Sequence, residues 1–326
     1  MSTWRVQMPT ILITGGHGGI GLECVKHVAA KKYDLVLLGR NVSRMDEVAE
    51  DLRANFAVKV SPIQVDLGSL ASVREAACRC LSLIESGEIA GLQAVLCNAG
   101  ATFRGEPTYT EDGYELTFTT NYLGHFLLVQ LLLDALDREG RIVFTASGTH
   151  DPDTADGRFI GRATKPVAEV LAKAGLDGHP PLTGGERYTT SKLCVILHCY
   201  ELDRRLRAAG RGITTIAYDP GAIAETGLLR DLPGAARAMI GSRVMRWLMR
   251  RFGLTLGDLE QSGRALADLA TATAYGSGCY YQWQDGALVE RRSAAMSYDL
   301  ELARDLWAES KRLSRLGQDE EPGMLL

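Results

Sequence analysis

A tyrosine and a lysine four residues apart, Tyr188 and Lys192, are the first residues in this chain whose types and spacing suggest chemistry. On a helix, residues i and i+4 share one face. An ammonium beside a phenol favours the phenolate, so the pairing predicts a Tyr188 pKa drawn down from about 10 towards neutrality. A tyrosine tuned that way gives a proton to a carbonyl oxygen or takes one from an alcohol. Ser147 ends an apolar run and could hydrogen-bond the same oxygen. Asn121 is placed to anchor Lys192 through a water molecule. Alone, such a pair is also what an exposed helical face carries; its weight comes from the motifs that accompany it.

The second group of residues suits a dinucleotide. Thr14-Gly-Gly-His-Gly-Gly-Ile-Gly21 lies between an apolar run and a helical pattern. Glycines at 15, 19 and 21 let the backbone turn sharply and approach a pyrophosphate, which the free N–H groups and dipole of the helix N-terminus then attract. The same turn could simply join a strand to a helix; its place on the first such junction favours the binding role. His17 either touches the phosphates or fills a turn position. The next apolar run ends at Gly39-Arg40-Asn41, with no acidic residue at its tip. Arg40 can pair with a 2′-phosphate where an acidic residue would bind a ribose hydroxyl, which favours NADP(H) over NAD(H). Asp66, with Leu67, follows the third run at a spot suited to the adenine edge. Asn98-Ala99-Gly100 ends the fourth, where small residues permit close approach.

The elements that position these residues follow from periodicity. Strand-like runs are expected at 10–14, 35–38, 58–65, 94–97, 141–146 and 213–218. Helical patterns fall at 19–31, 43–55, 69–85, 111–137 (one or two helices) and 188–209. Apolar strands alternating with helices imply an α/β fold with a parallel sheet covered on both faces and right-handed crossovers. Two segments break the rhythm, 148–187 and 220–262. Long irregular connections in a compact domain are usually functional, and these read as lids over the site, the first with a helix near 167–174. The second carries Met239, Ile240, Val244, Trp247, Leu248, Met249 and Phe252 among Arg243, Arg246, Arg250 and Arg251. Such a basic amphipathic stretch caps an apolar pocket or makes peripheral contact with a membrane surface; its position after Pro220-Gly221 favours the cap. Either role points to a lipophilic small-molecule substrate.

Composition excludes several classes. The 326 residues hold 46% hydrophobic and 23% charged residues, which argues against disorder, and a net charge of −4 gives no global attraction to nucleic acid. The 7 cysteines are scattered without a C-x-x-C pair, and the histidines show no ligand spacing, so no metal site is expected and a cytoplasmic location fits. No signal peptide is read at 1–9, and no transmembrane segment is expected. The acidic stretch 317–326 is expected to fray. The length thus reads as one domain, 1–326, with lids rather than two domains.

Together the 14–21 turn, Asn98-Ala-Gly100, Asn121, Ser147, Tyr188 with Lys192, and Pro220-Gly221 make the chain resemble the short-chain dehydrogenase/reductase family over nearly its whole length. The resemblance implies a doubly wound Rossmann fold and hydride transfer from C4 of a nicotinamide. It implies Tyr188 as acid/base, Ser147 as oxygen stabiliser, Lys192 on the nicotinamide ribose and Asn121 in a proton relay. It also implies that Gly15, His17, Gly19, Ile20, Gly21, Arg40, Asp66, Leu67, Asn98, Ala99, Gly100, Tyr188, Lys192, Pro220, Gly221, Ile223 and Thr226 hold the cofactor. Family members often pair through the long helices, here 111–137 and 188–209, which makes a homo-oligomer an expectation. Residues 119–128 look like both retinol dehydrogenase-like members and light-dependent protochlorophyllide reductases. Residues 191–194, 220–229, 278–283 and the end helix around Leu306-Trp307 look closer to the reductases. Ala222 departs from the cysteine those reductases carry after Pro-Gly, and Glu225 from a threonine expected near the nicotinamide amide.

Three functions follow as expectations. The first is an NADPH-dependent interconversion of a carbonyl and an alcohol on a bulky, partly apolar molecule. The second is reduction of a conjugated C=C bond. The third is an NADP(H)-sensing protein without turnover.

Overall fold

The computed structural model describes residues 8–103, 105–223, 251, 254–284 and 286–325. Thr226 and the basic stretch 239–252, Arg251 apart, lie outside the described residues.

Eight strands form one sheet in the order β3-β2-β1-β4-β5-β6-β7-β8. They are β1 (Thr10–Thr14), β2 (Asp34–Gly39), β3 (Val60–Gln64), β4 (Leu92–Cys97), β5 (Leu136–Thr145), β6 (Thr214–Asp219), β7 (Cys279–Gln284) and β8 (Ala287–Arg291). Neighbours pair in parallel from β3 through β7, and β8 pairs antiparallel to β7 at the edge. This is the Rossmann-type doubly wound architecture, with β7 and the antiparallel edge strand β8 lying beyond the strand runs expected above. The strands β1 and β2 are buried along their whole length, as a sheet covered on both faces requires.

One face carries α1 (Gly19–Ala30), α2 (Val42–Phe56) and, later in the chain, α9 (Leu259–Thr271). The other carries α3 (Leu70–Glu85), α5 (Gly124–Leu132), α8 (Gly184–Ala208) and α10 (Leu300–Leu313). Helix starts follow side-chain caps. Asn41 accepts from Arg44 N, Ser69 from Ser72 N, and Asp299 from the backbone of Glu301 and Leu302. Each cap contributes about 1 kcal/mol. A capping box between Thr183 and Glu186 starts α8 at Gly184, one turn before the expected 188.

The expected 111–137 helix is broken up. A short turn α4 (Leu116–Phe118) runs into a π-helical stretch (Thr119–Leu123) and only then into α5. Such π turns often mark functional sites, and Asn121 lies within this one. The span from Leu116 to Ala135 is long and apolar enough to cross a membrane by composition, but 83% of its most apolar window is buried inside the fold, as for a core helix.

Two expectations meet a different arrangement. The acidic end is tied down: Glu320 pairs with Arg74 at 2.6 Å, Glu321 with Lys311 at 2.6 Å, and Gly323 N donates to Asp134 at 2.7 Å. Its negative charge meets cations held on other elements of the fold. Pairing of subunits through α5 and α8 finds that face already covered by α10. There Trp307 packs edge-on to Phe126 and His198, and the Tyr122 and Ser310 hydroxyls are hydrogen-bonded at 2.8 Å.

Candidate active site

All the expected site residues within the described chain gather at the C-terminal edge of the parallel strands, where ligands of open α/β sheets bind. On the side of β1, β2 and β4, Gly15 has φ +71° and its N–H donates to Leu38 O at 2.8 Å, which ties the turn to β2. A Cβ on Gly21 would lie 2.2 Å from Gly15 O, so α1 can approach the turn only with glycine there. The Thr14 hydroxyl accepts from the N–H groups of both Asn98 and Ala99 at 2.9 Å, and Asn98 Nδ2 donates to Thr14 O at 3.1 Å. The glycine turn and the end of β4 are therefore one rigid unit.

His125 extends that unit. Its Nε2 lies 2.9 Å from Thr14 Oγ1 and its Nδ1 3.2 Å from Asn121 O. A carbonyl only accepts, so Nδ1 carries the hydrogen and Nε2 accepts from the threonine. Burial lowers the His125 pKa to about 4, which keeps the ring neutral around pH 7. Spacing alone had singled out no role for this histidine; the contact to Thr14 spans 111 positions of sequence.

At the tip of β2, Arg40 is exposed. The His17 ring stands against Gly39, where a Cβ would meet it at 2.6 Å. Its Nδ1 is buried without a hydrogen-bond partner, and burial, followed by Arg44 and Arg40, lowers its pKa. This corner thus concentrates cationic groups and one unfilled polar atom. Asp66 uses Oδ1 to accept from Gly68 N at 2.9 Å, while Leu67 is buried against α5.

On the side of β5, β6 and β7, Tyr188 and Lys192 are buried on the first turns of α8. Lys192 Nζ donates to Thr145 O at 2.8 Å and lies 5.8 Å from the Tyr188 ring centroid. Burial pushes the Tyr188 phenol up to about 12, a hydrogen bond with Ser147 works against that, and Asp219 adds to it. Burial lowers Lys192 to about 8. The expectation of a Tyr188 drawn towards neutrality by Lys192 is therefore corrected. Desolvation dominates both groups, and the tyrosine is held as its protonated form. Ser147 Oγ accepts from the Thr149 hydroxyl at 3.0 Å, which leaves its own hydrogen to donate. His150 Nδ1 donates to Ser147 O at 2.7 Å and its Nε2 accepts from Ala294 N at 3.0 Å, so this histidine fixes the serine backbone.

Asn121 has direct partners of its own beside Lys192. Its side chain closes a pair of hydrogen bonds with Ala101 (N at 2.8 Å, O at 2.9 Å) and donates to Ser191 Oγ at 3.0 Å. Lys192 is nearby without touching it: both would flank a Cβ on Gly100, at 3.4 Å and 3.3 Å.

Residues that the sequence reading does not single out, together with the expected Pro220, Gly221 and Ile223, complete this side. Asp219 Oδ1 accepts from Gly221 N at 2.9 Å, and its Oδ2 from Tyr280 Oη at 3.0 Å and Gln282 Nε2 at 2.8 Å. Asp156, on α6 (Ala155–Ile160) of the first irregular segment, accepts from Thr255 N of the second at 3.2 Å. Burial pushes Asp156 up to about 6. Arg187, fully buried, donates to Leu182 O, Phe103 O and Gly105 O, and its Nε lies 3.0 Å from the buried Glu115. That N–H is not aimed for a hydrogen bond, so the pair acts through charge. Burial raises the Glu115 pKa, a stronger effect than the opposing pull of Arg187. Pro220 O accepts from Ser262 Oγ at 3.1 Å, Gly221 takes φ +75°, and Ile223 is buried. No group of three or more His, Cys, Asp or Glu residues among the described residues could hold a metal.

Known proteins match this arrangement. The family model for short chain dehydrogenases matches residues 9–155. A chloroplastic protochlorophyllide reductase of Daucus carota is 30% identical, over 93% of this chain and 77% of its own length. Human retinol dehydrogenase 13 is 30% identical, over 93% of this chain and 84% of its own. Among solved structures, an uncharacterized protein from Mycobacterium paratuberculosis superposes with a TM-score of 0.67 at 25% identity, covering 95% of this chain and 96% of that one.

Proposed function

Since the chain belongs to the short-chain dehydrogenase/reductase family and is an oxidoreductase, we propose that it transfers hydride between NADP(H) and a carbonyl–alcohol pair on a bulky, partly apolar small molecule. The observation that carries this reading is a buried Tyr188 hydrogen-bonded to Ser147 and four residues before the buried Lys192, an arrangement that presents a proton donor to a substrate oxygen.

The residues fit the cofactor. Gly15, Gly19, Ile20 and Gly21 present backbone N–H groups and a helix N-terminus to the pyrophosphate. Arg40 supplies a cation for the 2′-phosphate, and His17 adds a buried nitrogen without a partner beside it. Asp66 and Leu67 face the adenine side, Asn98, Ala99 and Gly100 take the middle, and Tyr188, Lys192, Pro220, Gly221 and Ile223 take the nicotinamide end; Thr226, expected with them, lies outside the described residues. When bound, NADPH supplies the hydride. The chain does the rest: Ser147 donates to the substrate oxygen, Tyr188 gives it a proton, and Lys192 holds charge behind the tyrosine. His125, Asn121 and Ser191 fix the helices that carry these groups.

Within a single domain, the segment 148–187 and the described parts of 220–262 border the substrate. Phe159 on α6, exposed at 68%, offers apolar surface there, and the Asp156–Thr255 contact joins the two segments. All 7 cysteines are free, which supports a reducing compartment such as the cytoplasm.

A second reading, reduction of a conjugated C=C bond, is favoured by the match to protochlorophyllide reductases. A substrate panel read at the NADPH absorbance in darkness separates the two. Apolar ketones and aldehydes should consume NADPH, with the matching alcohols driving the reverse. Turnover confined to conjugated enones, with the carbonyl left intact, would support the second reading. No turnover across both sets, with tight NADP(H) binding, would contradict both.

A further inference from the structure

The reaction side of the sheet edge holds two buried opposite charges that do not touch. Lys192 gives its ammonium to a backbone carbonyl, and Asp219 takes three hydrogen bonds, all from neutral donors. Neither enters an ion pair among the described residues. A buried carboxylate without a cationic partner is costly, and it stabilises any positive charge that forms beside it. Asp219 is only 1% exposed, so its field is poorly screened by water.

Its position is specific. Asp219 directly precedes Pro220 and Gly221 and holds the Gly221 N–H. A Cβ on Gly148, the neighbour of Ser147, would lie 2.9 Å from its Oδ2. Its charge also reaches Lys192 and Tyr188, raising the pKa of each. The other groups around it are Tyr280 and Gln282 from β7, His150, kept neutral by burial, and Asp156, whose Oδ2 faces the same Gly148 position at 3.1 Å.

A nicotinamide ring is neutral in NADPH and cationic in NADP+. We propose that Asp219 is the residue that sets the preference of this site for the oxidation state of its cofactor, favouring the cationic ring at the Pro220–Gly221 turn. This rests on the reading that the turn flanks the nicotinamide. As hydride leaves C4 with its electron pair for the substrate carbon, the ring gains its positive charge and Tyr188 delivers the proton to oxygen. Asp219 stabilises the charge as it forms, so it favours reduction of the substrate.

Titration calorimetry on the full chain tests this without turnover. The wild-type protein should bind NADP+ at least as tightly as NADPH. Asp219→Asn and Asp219→Ser, each removing the charge, should move the ratio of the two dissociation constants by about tenfold towards NADPH, one pKa unit's worth of interaction. Tyr280→Phe keeps the charge and loses one hydrogen bond; it should leave the ratio alone even if both forms bind more weakly. A wild-type preference for NADPH above about tenfold overturns the proposal. So does an unmoved ratio in either folded charge-free variant, which would show Asp219 to be structural only. Wild-type protein that binds neither form overturns instead the cofactor reading on which the proposal rests.

Discussion

The two halves of the sheet's C-terminal edge solve different problems with different materials. At β1, β2 and β4, the polar groups of Thr14 and Asn98 lock mainly onto backbone, and the cation Arg40 stays in water. At β5, β6 and β7, five ionisable side chains, Tyr188, Lys192, Asp219, Asp156 and His150, are taken out of water and held by residues distant in sequence. The difference follows from the chemistry served. A polyanion is held by oriented N–H groups and an exposed cation. Proton and hydride transfer gain from groups fixed in a low-dielectric site, where each charge counts for more.

Arg187 is among the residues that join the halves, and its removal is the largest way to break the contrast. Arg187 clips the 103–105 loop of the cofactor half to the start of α8 in the reaction half. Arg187→Met leaves Glu115 buried without its cation and should cost about 3–5 kcal/mol of stability, read by denaturant unfolding. Adding Glu115→Gln should recover much of that loss; a double variant as unstable as the single would show that the pairing is not what matters.

The next effect should stay within the cofactor half. Arg40→Asp should weaken NADPH binding by about 10–100-fold, the worth of a charge-assisted hydrogen bond, and leave the melting temperature nearly unchanged because the side chain is exposed. An unchanged ratio of NADPH to NADH affinity would remove Arg40 from the 2′-phosphate site.

The smallest effect sharpens the reaction half. Burial raises Asp156 from an ordinary 3.8 to about 6, so the folded chain holds this proton more tightly than the unfolded chain. The unfolded state then binds fewer protons between those values, and stability falls as pH rises through that window. Asp156→Asn, which keeps an acceptor for Thr255 N, should remove this slope and stabilise the protein at neutral pH by about 1–2 kcal/mol. A slope that survives the substitution would place its origin elsewhere.

The contrast also explains what the sequence revealed. The glycine turn, Arg40 and Asn98 were legible because their geometry is local: a strand, a tight turn and a helix within a few residues. Tyr188, Lys192 and Ser147 were legible as types and spacing, but their charge states were not. Burial, a tertiary property, decides the Tyr188 pKa against the pull of Lys192. Asp219, His150 and His125 were not legible because each also depends on a distant partner: Tyr280 and Gln282, Ala294, and Thr14. The β7–β8 hairpin had one, the Asp-Gly pair at 285–286 between two alternating runs. The capping box of α8 also had one, Thr183 three residues before Glu186, which two glycines disguised as loop. The covering of α5 and α8 by α10 needed the fold itself, since the apolar face of a helix does not say what will cover it.

The proposed division of labour has Tyr188 move the proton while the cofactor half only holds NADPH. It is tested most directly by NADPH deuterated at C4, with wild-type protein and Tyr188→Phe compared on an active ketone. The wild-type chain should place deuterium on the former carbonyl carbon. The variant should bind NADPH about as tightly and transfer label about 10²–10⁴-fold more slowly. Label transfer at the wild-type rate in Tyr188→Phe would contradict the account.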